Sequence, residues 1–142
     1  MRVQEIMTKS VRSIDPNTAI RDAARCMRDD NLGALPVCEG DRLIGMVTDR
    51  DIVTRGVAEN KSGGNASVRD VMSEGACYCY EDDDDRRAAA IMAEHQVRRL
   101  PVLNRENRLV GVVALADLAQ SGAKVVDKTM AAVSEPTDQP RR

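Results

Sequence analysis

The sequence predicts an α+β fold made of two tandem β-α-β-β-α repeats packed with pseudo-twofold symmetry. Three observations carry that expectation. Short blocks recur in one order at a fixed spacing, each copy alternates strand-like and helix-like patterns in the same way, and one copy is too small to close a core alone. Val3-Gln4-Glu5-Ile6-Met7 recurs as Val68-Arg69-Asp70-Val71-Met72, 65 positions on. At the same spacing Ala23, Ala24 and Met27 match Ala88, Ala89 and Met92, and Leu35-Pro36-Val37 matches Leu100-Pro101-Val102. After a hairpin with one extra residue in the second copy, Arg42-Leu43-Ile44-Gly45 matches Arg108-Leu109-Val110-Gly111, and Asp51-Ile52 matches Asp117-Leu118. Blocks kept in order, with one slip at a turn, are the mark of duplication.

In the first copy, Val11 to Ile14 read as a short strand and Asp15-Pro16-Asn17 as a turn. Thr18 is the expected N-cap of a helix whose apolar face holds Ile20, Ala23, Ala24 and Met27, and Asn31 and Gly33 end it. Leu35 to Cys38 and Leu43 to Val47 form a hairpin around Glu39-Gly40-Asp41, and a last helix opens at Thr48. The expected organisation is a first repeat over 1–58, a polar, glycine-rich linker over 59–67, a second repeat over 68–121 and a partly disordered tail over 122–142. Fewer than 65 residues in one copy leave a sheet face uncovered, so the two copies are expected to cover each other.

Composition narrows the function classes. Aromatic residues are 1% of the 142-residue chain, with no Phe or Trp, so Tyr78 and Tyr80 offer no stacking platform for single-stranded nucleic acid. A formal charge of -2 and a pI near 5.5 argue against binding a phosphate backbone. No apolar run approaches a membrane span and the start lacks the apolar core of a secretory signal, so a cytoplasmic protein with free thiols at Cys26, Cys38, Cys77 and Cys79 is expected.

From Val3 to about Gln120 the chain resembles the CBS domain pair, or Bateman module. The likeness rests on the two V-x-[DE]-h-M openings, both L-P-V strands and the closing G-x-x-T-x-x-D signature, Gly45-Met46-Val47-Thr48-Asp49-Arg50-Asp51. The resemblance implies a regulatory module, not an enzyme. Such a module needs no cofactor and takes an adenosyl ligand (AMP, ADP, ATP, NAD or S-adenosylmethionine) in clefts between the repeats. It also implies a homodimer acting on an unidentified effector protein. Asp51 would hold the ribose hydroxyls and Thr48 would meet phosphate. Chemistry agrees, since a carboxylate can accept from both hydroxyls of a diol and a helix N-terminus offers N–H groups to an anion. Gly45 would let backbone approach closely.

The same residues also spell a capping box, Thr48 with Asp51 three positions on. One threonine can serve both purposes. The second copy keeps Asp117 but has Ala114 in the place of Thr48, which implies unequal sites with Thr48 and Asp51 forming the stronger. Arg98 and Arg99, just before Leu100-Pro101-Val102, suit phosphate or are a solvated pair, and Pro101 is counted with them as a candidate ligand residue. Asp85 stands where Ile20 stands in the first copy, which leaves the packing of that helix start open. The acidic run Glu81 to Asp85 lacks the spacing of a calcium loop and fits a helix N-terminus. Cys77, Cys79 and His95 alone do not complete a zinc site. The alternative is a dimerisation protein, or a redox- or metal-responsive stress protein, with degenerate clefts.

Overall fold

The computed structural model describes residues 1–61, 66–75 and 77–119. Residues 62–65 of the predicted linker and all of the predicted tail lie outside these. The chain forms two compact units, each with its own apolar core. Among the described residues, one unit spans 12–75 and the other combines 1–11 with 77–119.

In the first of these units the elements are α1 (Ile20–Asp30), β1 (Ala34–Glu39), β2 (Arg42–Thr48) and a short α2 (Asp49–Asp51). The helix then continues with π winding over Ile52–Val57, and a 3-10 turn (Val68–Asp70) leads to β3 (Ser73–Glu74). The second unit has a 3-10 turn (Val3–Glu5), β4 (Cys79–Tyr80), α3 (Asp85–His95), β5 (Arg99–Leu103), β6 (Leu109–Ala114) and α4 (Leu115–Leu118). Each holds a three-stranded sheet, β1-β2-β3 or β4-β5-β6. The paired hairpins are in matching register: Pro36 faces Met46 and Pro101 faces Val112. The duplicated α+β elements are thus present as the sequence predicts.

Each sequence copy surrenders its opening block to the other unit. Val3 and Ile6 are buried with Met92, Leu100 and Val113, while Val68, Val71 and Met72 are buried with Met27, Leu35 and Val47. Backbone bonds repeat the exchange. Val3 N and Gln4 N donate to the carbonyls of Asp83 and Glu81 at 2.9 Å, and Val68 N and Arg69 N donate to those of Thr18 and Pro16 at 2.8 and 2.9 Å. Burying valine and isoleucine side chains of this size contributes about 1.5–3 kcal/mol each. The opening blocks are therefore core-forming rather than decorative.

Several local expectations shift. Ala19, not Thr18, is the N-cap of α1, because the Thr18 carbonyl accepts Val68 N and the Asp15 carboxylate closes an Asx turn onto Asn17 N at 2.8 Å. The predicted strand from Val11 shrinks to one bridge, Ile14 with Val37. Two residues later Pro16, which has no N–H to donate, occupies the turn. Ala24 is exposed, so the buried stripe of α1 is Ile20, Ala23 and Met27. Asn31 ends α1 in the left-handed region with φ 54°, as expected. Asp85 is only 5% exposed at the first position of α3. Its amide donates to the Met1 carbonyl, and its carboxylate lies 3.8 Å from the N-terminal ammonium. That pairing lets a charge occupy the place of Ile20.

Gly45 and Gly111 show why the signature opens on glycine. A Cβ on Gly45 would strike the Ser73 carbonyl oxygen, and one on Gly111 would stand 2.8 Å from that of Thr8. The close approach allowed for in the sequence is made by an exchanged backbone segment. Gly45→Ala should therefore destabilise the fold by about 1–3 kcal/mol, the usual cost of overpacking. Gly40→Ala tests a different effect, because the hairpin turn has open space and only a φ of +64° to oppose a side chain. A urea midpoint for Gly45→Ala equal to that of the parent protein would contradict the steric account.

Candidate functional site

Residues of the signature sit where β2 meets α2. Val47 is fully buried and fixes the strand end, and Thr48 pairs with Ala34 across the hairpin. Thr48 is the N-cap: its Oγ1 accepts from Asp51 N at 3.0 Å, and its own N–H donates to Asp51 Oδ2 at 3.1 Å. The capping box of the sequence is thus formed. Thr48 Oγ1 still has its own proton to donate, because it acts here as acceptor. Asp51 is 2% exposed, and its Oδ1 lies 4.0 Å from Arg55 Nε.

The expectation of open N–H groups at this helix start is not met. Asp49 N donates to the Gly33 carbonyl at 3.0 Å, Arg50 N to Asp49 Oδ1 at 2.8 Å and Asp51 N to Thr48 Oγ1. A short polar side chain and a neighbouring loop carbonyl satisfy the first turn internally.

The second copy keeps half of this clasp. Ala114 N donates to Asp117 Oδ2 at 2.7 Å, but Ala114 has no hydroxyl to answer. Asp117 is half-buried. Arg98 and Arg99 lie in the same unit: the Arg98 carbonyl accepts Leu115 N at 2.8 Å, and Arg99 stands directly across the sheet from Ala114. Both arginines are exposed, while Pro101 is buried within β5. The structure therefore groups Arg98, Arg99, Pro101 and Asp117 in one unit, and Gly45, Thr48 and Asp51 in the other.

Arg55 is the site neighbour that sequence reasoning missed. The signal was an aspartate–arginine pair four positions apart on a helix.

The acidic run is occupied by local structure. Asp84 caps α3 by accepting Arg86 N at 2.9 Å, which holds its carboxyl well below the usual range. Arg105 bonds both Asp82 oxygens, lowers that carboxyl and stacks 4.0 Å from the centre of the Tyr80 ring. Among the described residues, no three His, Cys, Asp or Glu side chains are placed to hold one metal ion. Burial pushes the Cys38, Cys77 and Cys79 thiols up, Cys79 to about 12, further raised by the nearby Asp83 carboxylate.

Comparison with known proteins places this geometry in a class. The CBS domain family matches residues 3–57 and 68–124. The chain belongs to the CBS domain family, as a pair of its repeats. It is 43% identical to the CBS domain-containing protein YhcV of Bacillus subtilis over 117 residues, covering 82% of each chain. It is 38% identical to hypoxic response protein 1 of Mycobacterium tuberculosis over 118 residues, again 82% of each. The crystal structure of that response protein, which has two coordinated zinc ions, matches with a TM-score of 0.78 over 86% of this chain and 99% of its own. CBSX2 of Arabidopsis thaliana, solved in complex with AMP, shares the fold at 24% identity and a TM-score of 0.74, over 84% of this chain and 94% of its own.

The raised Cys79 thiol gives a pH dependence. Its folded value of about 12 lies above the ordinary 9.0, so its stabilising contribution is complete below pH 9 and is lost as pH rises toward 12. The unfolded chain releases the proton first. Urea stability should fall over that interval by up to about 1.4 kcal/mol per pH unit. The slope should be shallower in Cys79→Ala. Identical slopes in the two proteins would place the alkaline loss elsewhere.

Proposed function

We propose that this protein is a regulatory module that binds an adenine nucleotide or related adenosyl ligand. Asp51 receives the ribose hydroxyls, and the free proton of Thr48 Oγ1 is donated to a phosphate oxygen. The observation that carries this reading is the clasp itself. It fixes a carboxylate and a hydroxyl three residues apart in one orientation before any ligand arrives. Preorganised groups lose little freedom on binding, which favours affinity. The AMP complex of CBSX2 supports the ligand class, since the same fold carries that molecule in that protein.

In the second copy Asp117 takes the ribose role, and Arg98 and Arg99 replace the missing hydroxyl as the phosphate-seeking groups. Gly45 and Pro101 serve by shaping the strands that bear these side chains. The module acts through a separate effector protein and needs no cofactor or catalytic step. Zinc binding is the less favoured reading, because burial disfavours the thiolate form at Cys77 and Cys79.

AMP, ATP, NAD and S-adenosylmethionine, each in hundredfold excess over its dissociation constant, should stabilise the folded protein by about 2.7 kcal/mol if bound. At least one should raise the melting midpoint. Asp51→Asn should remove most of that shift relative to its own unliganded baseline, and Asp117→Asn a smaller part. Thr48→Ala should weaken a phosphorylated ligand by about 1 kcal/mol and adenosine far less. A parent midpoint unmoved by all four ligands would sink the proposal.

Assembly is the other part of the reading. Val53 and Val57 stand four residues apart on the helix after the signature, and each is 58% exposed. Side chains at that spacing share a helix face, which here suits a second copy of the chain. Sedimentation at micromolar concentration should show a homodimer, and Val53→Asp with Val57→Asp should shift it to monomer. A monomeric parent protein, with and without nucleotide, would refute the dimer.

A further inference from the structure

We infer that Arg55 is a positioning residue for the ligand site, linking occupancy of Asp51 to the order of the exchanged segment Ser67–Glu74. The inference rests on the proposed adenosyl reading of Asp51 and extends it from binding to transmission.

Arg55 occupies a place between two kinds of acceptor. Its Nε lies 4.0 Å from Asp51 Oδ1, and its Nη1 donates to the carbonyls of Val71 and Met72 at 3.4 Å. The side chain is 29% exposed while that of Asp51 is 3% exposed, so the guanidinium lies over a buried carboxylate. Those two carbonyls belong to the block that opens the second sequence copy yet packs in this unit. Val71 is fully buried, and the amides of Val71 and Met72 both donate to the Val68 carbonyl. The chain then enters β3, where the Ser73 carbonyl lies against Gly45, and Gly45 leads along β2 back to Thr48 and Asp51. The contacts close a ring: Asp51, Arg55, Val71 and Met72, Ser73, Gly45, Thr48.

Arg55 can pass on a change because it lies between the Asp51 carboxylate and the Val71 and Met72 carbonyls. A ribose hydroxyl that donates to Asp51 Oδ1 competes with Arg55 for that oxygen, or draws the guanidinium closer and shares it. Either way the strength of the bonds from Arg55 to Val71 and Met72 depends on occupancy. A ligand shifts the segment only by its differential affinity for the two arrangements. Arginine suits this position because its fixed fork can address a carboxylate and carbonyls together, and lysine cannot reproduce that geometry. The residue 66 positions beyond Arg55 is Ser121, so the second copy has no guanidinium at this place in its sequence.

The test combines calorimetric titration with amide hydrogen exchange, using the full chain and AMP, ATP, NAD and S-adenosylmethionine as separate probes. In the parent protein a bound probe should slow exchange at Val71–Glu74. Arg55→Met keeps the aliphatic stem and should weaken that probe on the order of tenfold, the scale of a hydrogen bond to a charged group. In Arg55→Met, saturating probe should no longer change exchange at Val71–Glu74, and Arg55→Lys should recover affinity only in part. A merely structural arginine would raise exchange in the unliganded variant but leave the probe-dependent change intact, which would overturn the inference. Parent-like affinity in both variants would overturn it too. Failure of every probe to bind the parent protein would fell the ligand reading and this inference with it. Binding to the parent that Asp51→Asn abolishes and Arg55→Met leaves unchanged would fell the inference alone.

Discussion

Each sheet meets backbone from the other copy of the sequence, as a third strand in one and as a single bridge in the other. Ser73–Glu74 pairs with Gly45 and Met46, while Thr8 bridges Val112, so each sheet takes backbone from the block that opens the other copy. This exchange explains why both signatures begin with glycine, since a side chain at either position would strike a carbonyl oxygen. It also explains the apolar letters of the V-x-[DE]-h-M blocks: Val3 and Val68 are wholly buried in cores they reach only by exchange. The acidic letter has a separate duty. Glu5 accepts Arg2 N at 2.7 Å and Asp70 accepts Ser67 N at 2.9 Å, so each acid closes the turn that aims the valine inward.

The same local device recurs at the signature. Asp51 and Asp117 also accept the backbone N–H three residues before them. A carboxylate placed in this way is held by the backbone whether or not anything else is bound. The capping and ligand readings of Asp51 are therefore compatible, since one oxygen is committed to the turn and the other faces Arg55. An aspartate that had to choose between folding and binding would lose stability with every ligand cycle.

Much of this was legible in the sequence because periodicity and turn chemistry are local. Both hairpins, the left-handed end of α1 at Asn31 and the Thr48 cap follow from residues within a few positions of one another, and the repeat spacing from comparing one copy with the other. The exchange was not legible, and the duplication is the reason. Val3-Gln4-Glu5-Ile6-Met7 and Val68-Arg69-Asp70-Val71-Met72 offer nearly the same apolar pattern, so either block fits either core. Tertiary constraint then decides the partner. The N-cap of α1 moved for the same cause: Thr18 has the right side chain, but its carbonyl is claimed by Val68, a residue 50 positions away. The Asp51–Arg55 spacing was there to be read, but the carbonyl partners of Arg55 were not, because main-chain carbonyls leave no trace in a motif.

The two copies differ in the arginines that accompany the signature aspartate. In the first, Arg55 follows Asp51 on the same helix and is already bonded to carbonyls, so its freedom is spent on orienting the carboxylate. In the second, Arg99 stands on the neighbouring strand opposite Ala114, exposed, with Arg98 beside it. A tethered guanidinium contributes geometry, and a free one contributes reach and charge. On the proposed ligand reading, loss of the hydroxyl at Ala114 does not simply weaken the second site. It exchanges a short, directional phosphate donor for two long cationic ones, whose attraction grows with the charge of the ligand and falls as salt is added. The two sites would then differ in kind, the first selecting by fixed hydrogen-bond geometry and the second by anionic charge.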